Sequence, residues 1–214
     1  MNKFFLIMGL SGLATMATAD NLNNDYRFYI DASFNRAFGN VDASDMNNRM
    51  AELGYEANAS VSGQDRNAWD ATFGYRLKDY LDLELGYTDL GTVRTNLSGN
   101  VVDINDYLNS ANVVHPRSAT GFNLALRGRF YLNDHLFLYG RAGVLWADSR
   151  YVATAAIEKE KRSKKDESFF GGIGVQYELN PRWSLHVHGS AYRIEDESIK
   201  ALGLGIAYRF GADN

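Results

Sequence analysis

Residues 75–85 read YRLKDYLDLEL. Tyr75 is followed two places on by Leu77, the polar pair Lys78-Asp79 intervenes, and Leu81, Leu83 and Leu85 then take every second position. Asp82 and Glu84 fill the places between. Side chains alternate across a strand, so the stretch predicts a hairpin with one apolar and one ionisable face. The same layout returns as FYLNDHLFLYG at 130–140 and YELNPRWSLHV at 177–187. There the intervening positions hold Tyr139 and Arg141, or His186 and His188.

Working outward, eight segments alternate, at about 26–36, 67–77, 80–90, 119–131, 135–149, 168–179, 182–194 and 199–210. In the first, Tyr26, Phe28, Ile30, Ala32 and Phe34 oppose Arg27, Tyr29, Asp31, Ser33 and Asn35. In the fourth, Phe122, Leu124 and Leu126 oppose Asn123, Ala125 and Arg127. The last sets Leu202, Leu204, Ile206, Tyr208 and Phe210 against Gly203, Gly205, Ala207 and Arg209. Lys78-Asp79, Asn133-Asp134 and Asn180-Pro181 are turn formers suited to tight hairpins. By contrast 37–66, 91–118 and 150–167 are long and polar, and no motif is legible in the first two. Short and long links in alternation are the layout of a bacterial outer-membrane barrel, with short turns in the periplasm and longer loops outside. An even strand number leaves both ends on the periplasmic side.

A soluble sandwich also alternates, with its apolar face turned inward. Three features favour the membrane. The polar face mixes Gly, Ala and Ser with Arg, Asp and Glu, which suits a crowded lumen. The apolar face is rimmed near strand ends by Trp69, Tyr75, Phe130, Trp146, Tyr177, Trp183, Tyr208 and Phe210, as interfacial girdles require. The segments are also long: a strand tilted near 40° climbs roughly 2.5 Å per residue, so a band of about 25 Å takes about ten residues. The expected fold is all-β, an eight-stranded antiparallel transmembrane up-and-down β-barrel. It must close, because lipid offers nothing to an unpaired strand edge.

Composition agrees. Of 214 residues, 20 are Gly, 13 Tyr and 12 Phe with only two Pro, which fits crowded, aromatic-faced sheets. Cysteine is absent, so no disulfide can staple an exported chain. MNKFFLIMGLSGLATMATAD has a basic start, a short apolar run and Ala17-Thr18-Ala19 before Asp20. Residues 1–19 are therefore expected to be a signal peptide and 20–214 the barrel domain. The leader's only charge is Lys3, so acids outnumber bases in the mature chain too, and no nucleic-acid footprint is present.

GYRLKDYLDLELGYTDLG (74–91), LNDHLFLYGRAGVLWADS (132–149), GGIGVQYELNP (171–181) and LGIAYRFG (204–211) resemble the transmembrane domain of outer membrane protein A (OmpA) and its relatives. The resemblance runs from about residue 67 to 211 and is poor in the loops. It implies a cell outer membrane location in a Gram-negative envelope and a structural role or a narrow, gated pore. In relatives, lumen ion pairs close the passage. The matching gate carboxylate is Glu84 and its basic partner Arg127, while Arg141 matches a lumen arginine. Two further gate positions fall on Gln176 and His186, where relatives carry an acid and an arginine, so an identical gate is not implied. Only three residues follow Gly211, so the wall-binding domain of longer relatives is not expected here.

Read from the residues alone, the lumen should hold Arg27, Asp31, Asp70, Arg76, Asp82, Glu84, Arg127, Arg129, Arg141, Glu178, His186, His188 and Arg209. An eight-stranded interior is just wide enough for side chains to fill, and charges there must pair. A polar plug and a low-conductance channel are both consistent with such a filling. His188 and Ser190, with Glu195 and Glu197 near, resemble a barrel lipid A deacylase, although the register turns both away from lipid. No cofactor or metal is expected, since a bare His pair lacks further ligands. EKEKRSKKDE (158–167) is a solvated loop or strand-end extension. Through Lys161, Arg162, Lys164 and Lys165 it could instead contact lipopolysaccharide phosphates. Expected partners are outer-membrane lipid and lipopolysaccharide, with surface ligands through the loops and a monomeric state. The open alternatives are a lipid-modifying barrel enzyme and a loop-based adhesin.

Overall fold

The computed structural model describes residues 26–39, 43–52, 54, 57–62, 65–99, 118–155, 158–194 and 197–210. The leader expected at 1–19 lies outside them, as do Glu195 and residues 100–117. Within them run β1 (Phe28–Phe38), α1 (Ala43–Glu52), β2 (Ala57–Ser62), β3 (Asp65–Lys78), β4 (Leu81–Asp89) and β5 (Arg94–Gly99). Then come β6 (Ser118–Tyr131), β7 (Leu136–Ala155), β8 (Glu158–Glu178), β9 (Trp183–Ile194) and β10 (Glu197–Phe210). Among the described residues no helix is long and apolar enough to cross a membrane.

Eight strands pair antiparallel in the cyclic order β1-β3-β4-β6-β7-β8-β9-β10, and β10 returns to β1. No barrel edge is left open. Followed through paired residues, Ser33 leads one way through Asp70, Thr88, Gly121 and Ala147 to Asp166. The other way it leads through Gly205 and His186 to Gln176, ten residues further along β8. That stagger sets a strand tilt of about 40°.

The eight alternating segments all become barrel strands, and the tight turns form where expected. Two of the turns share one device. Asn133 Oδ1 accepts the His135 and Leu136 amides, and Asn180 Oδ1 accepts those of Arg182 and Trp183, all at 2.9 Å. A side chain that mimics a backbone carbonyl reverses the chain within two residues.

Burial inverts the usual rule for a protein in water. Glu84 is 2% exposed while its neighbour Leu85 is 52% exposed. Asp31, Asp70, Arg127, Arg141 and Arg209 are buried, whereas Ile30, Leu126, Ile173, Val187 and Leu204 stand in the open. Oil as the outer solvent makes both halves of that pattern favourable.

Outward aromatics collect at two heights. Phe28 packs on Tyr75, Phe73 and Phe210, and Tyr208 on Trp183, near the tight turns. At the other end Tyr87 packs between Trp69 and Phe122, and Phe122 pairs with Trp146.

Three expectations change. Tyr26 is buried and Arg27 exposed, the reverse of the predicted faces, because β1 begins only at Phe28 and the alternation does not extend below it. The Tyr26 ring instead turns under the barrel, with the Arg76 guanidinium 3.8 Å from its centre. The long links are also not plain loops. The first holds α1 and β2, and β5 pairs antiparallel with β2 and parallel with the far end of β7. Finally, 150–167 is mostly strand: β7 and β8 stay paired out to Ala155 and Glu158, so the charged run is the strand-end extension.

Candidate functional site

Glu84 hangs inward from β4 between the outward Leu83 and Leu85. Its Oε1 accepts the Tyr29 hydroxyl at 2.6 Å and lies 3.5 Å from Arg127 Nη1. Its Oε2 lies 3.4 Å from Arg141 Nε. Arg127 also donates through Nη2 to Gln176 Oε1, and its guanidinium sits 3.8 Å over the Tyr139 ring. Gln176 in turn donates to Ser184 Oγ at 2.6 Å. Glu84, Arg127, Arg141 and Gln176 are thus joined in one network across four strands. His186 borders it, with Nδ1 3.3 Å from Asp31 Oδ2 and its ring edge-on to Tyr139. All five residues singled out in the sequence come together.

The two tyrosines that complete the network were not singled out. Their signal is a large inward ring set across from glycine: Tyr29 pairs with Gly74, and Tyr139 with Gly174. A Cβ at either glycine would enter the facing ring. The glycines are what allow bulky rings into a lumen this narrow.

Below the network, Arg129 pairs with Asp82 and Arg209 with Glu178. Arg129 Nη1 donates to the Tyr26 hydroxyl at 2.8 Å. A void of about 10 Å³ lies among Tyr26, Tyr29, Arg127, Arg129 and Arg209, room for about one water. Above the network, Asp70 accepts from Ser33 Oγ at 2.6 Å and Asn35 Nδ2 at 2.8 Å, while Arg141 Nη1 lies 3.8 Å from its other oxygen. Asn123 donates to Thr88 at 2.9 Å. Asp70, Asp82, Glu84 and Glu178 each have a guanidinium beside them, as a low-dielectric interior demands, and Asp31 has the His186 ring.

His188 and Ser190 both point into the lumen, and Val187 just before them faces outward, as the register predicted. Among the described residues no group of three or more His, Cys, Asp or Glu is placed to hold a metal ion. Lys161, Arg162, Lys164 and Lys165 fall on β8 where it extends past the upper aromatics, paired with Val152, Tyr151, Ser149 and Asp148 of β7. They are not brought near the lumen network.

The sequence that builds this closed cylinder matches a known family model. The model for the OmpA-like transmembrane domain matches residues 28–214. The chain belongs to that family. It is an outer-membrane β-barrel. Outer membrane protein A of Serratia marcescens is 26% identical over 228 residues, covering 98% of this chain and 56% of the relative. Outer membrane protein P5 of Haemophilus influenzae is 24% identical over 236 residues, covering 99% of this chain and 61% of the relative. The OmpA-like chain therefore spans little more than half the length of these relatives. The crystal structure of OprG from Pseudomonas aeruginosa superposes with a TM-score of 0.52 at 13% identity, covering 88% of this chain and 99% of that one, a likeness of fold.

Proposed function

We propose that this OmpA-like barrel is an envelope protein whose lumen is shut at rest by the junction at Glu84, and that it conducts, rarely and weakly, when Arg127 leaves that junction. The supporting observation is that Arg127 touches two alternative acceptors at once, Glu84 on β4 and Gln176 on β8, three places apart around the barrel. A shift toward the neutral Gln176 would leave Glu84 held by Arg141 and Tyr29 but Arg127 with only an amide and the Tyr139 ring, a costly state and so a rare one. The test is single-channel recording in planar bilayers. Glu84→Ala should raise the frequency of openings several-fold over the wild type; an unchanged frequency would remove the junction from the account.

A second reading concerns the outer surface. β7 and β8 form a paired ribbon that continues beyond Trp146, and the basic run lies two to six residues past it by register. At roughly 2.5 Å per residue this is the zone of lipid headgroup phosphates. We propose that Lys161, Arg162, Lys164 and Lys165 engage lipopolysaccharide phosphate there through charge-assisted hydrogen bonds. Binding of lipopolysaccharide to the reconstituted barrel should weaken with salt and drop when all four are replaced by Gln. Equal binding by the quadruple variant would dismiss the contact.

A further inference from the structure

The inward face of the barrel changes character toward the end with the long connections. β1 reads Asp31, Ser33, Asn35, Ala37, and β7 reads Arg141, Gly143, Leu145, Ala147. β9 reads His188, Ser190, Tyr192, Ile194, and β10, followed the same way, reads Arg209, Ala207, Gly205, Gly203, Ala201, Ile199. Charge gives way to neutral polar groups, and these to hydrocarbon.

The last layer is a packed apolar cluster inside the cylinder. Leu145, Ile194 and Ile199 have no exposure, and Leu90 and Phe170 are buried with them. The Phe170 and Tyr192 rings stack at 5.3 Å, and alanines fill the spaces between the larger side chains. Two buried polar residues share this height, Ser168 across from Leu145 and Arg66 across from Ala37. Arg66 Nε donates to the Leu90 carbonyl at 2.5 Å. Leu145 precedes Trp146 of the upper aromatics, so the layer is level with the outer surface of the bilayer.

We propose that this layer is an apolar collar that determines which solutes the barrel excludes, standing in series above the charged junction and limiting the size of any ionic current. The inference rests on the lock proposed at Glu84, but assigns a different property to a different layer. A hydrated ion reaching the junction finds groups able to replace its water: Ser33, Asn35, Asp70, Thr88 and Asn123 lie next above it. In the collar it meets methyl and ring surface over most of the circumference, with Ser168 and Arg66 the polar exceptions, so lost hydration is little replaced and a narrow passage dewets. The junction then sets how often the lumen opens, and the collar how much passes. Small uncharged solutes, with less hydration to lose, are resisted least.

The test uses the full chain in planar bilayers with potassium chloride, in four forms: wild type, Glu84→Ala, the pair Leu145→Asn with Ile199→Thr, and all three changes together. Glu84→Ala should give more frequent openings of wild-type amplitude. The collar pair should raise the amplitude by about threefold or more without changing frequency, and the combined protein should show both. Equal amplitudes with and without the collar pair in the Glu84→Ala background would overturn the collar, as would silence of the combined protein. Full amplitude from Glu84→Ala alone would overturn it too. Failure of the lock reads out separately, as unchanged frequency. Each protein is first checked for a compact band before heating in detergent electrophoresis. If the Asn and Thr pair does not fold, Ala37→Ser with Ala201→Ser places hydroxyls in the same layer with little change of volume.

Discussion

Glu84 is held by a neutral hydroxyl and two guanidiniums from four different strands, counting its own. Removing it would leave Arg127 buried with no carboxylate beside it and Arg141 with only Asp70, at 3.8 Å. Glu84→Ala should therefore lower unfolding stability in lipid vesicles by about 3–5 kcal/mol, and Arg127→Met in the same chain should recover part of that loss. A loss below about 0.5 kcal/mol, measured by urea titration, would mean the junction is solvated and the pairing incidental. At this scale the sequence was partly legible. Parity along the strands placed Glu84, Arg127, Arg141, Gln176 and His186 on one face, and the structure brings them together. Tyr29 and Tyr139 were placed on the same face but not picked out, because parity says only that a side chain is inside. Which ring fills the centre depends on the glycine across the pair, on the neighbouring strand and outside the local pattern.

Among elements, the hairpins around the tight turns were the most readable, since alternation, turn formers and an Asn acceptor all coincide there. The outer faces of these strands should be intolerant of charge. Leu85→Arg, outward on β4 beside the inward Glu84, should destabilise the barrel by about 2–4 kcal/mol in vesicles, the cost of a cation in the hydrocarbon. A cost near zero would move β4 out of the lipid. The ends of β7 and β8 were harder to read. Above the interface a ribbon needs only backbone pairing, so its side chains can be charged and look like loop in the sequence. The short strands β2 and β5 gave no signal for a related reason: they pair with each other and with the tip of β7, away from any face that must be apolar. Tyr26 shows the limit of extrapolating a period past a strand's last hydrogen-bonded residue.

For the whole molecule, closure and orientation follow from sequence because the membrane imposes both: no edge can stay bare, and tight turns alternate with long links. The layering of the lumen did not follow. A binary reading sorts residues into inside and outside, and it gave the whole inside to small and charged residues. It passed over Leu145, Phe170, Ile194 and Ile199, whose inward direction breaks the polar-in rule at one end of β7, β8, β9 and β10. The central claim is that lipid touches the outer face while the paired charges stay within. With no cysteine in the chain, single cysteines can carry a fluorophore at chosen positions in a barrel reconstituted with bromine-labelled lipid. Labels at positions 83, 138 and 206 should be strongly quenched, and labels at 84 and 141 hardly at all. Strong quenching at 84 and 141 with none at 83, 138 and 206 would contradict the account.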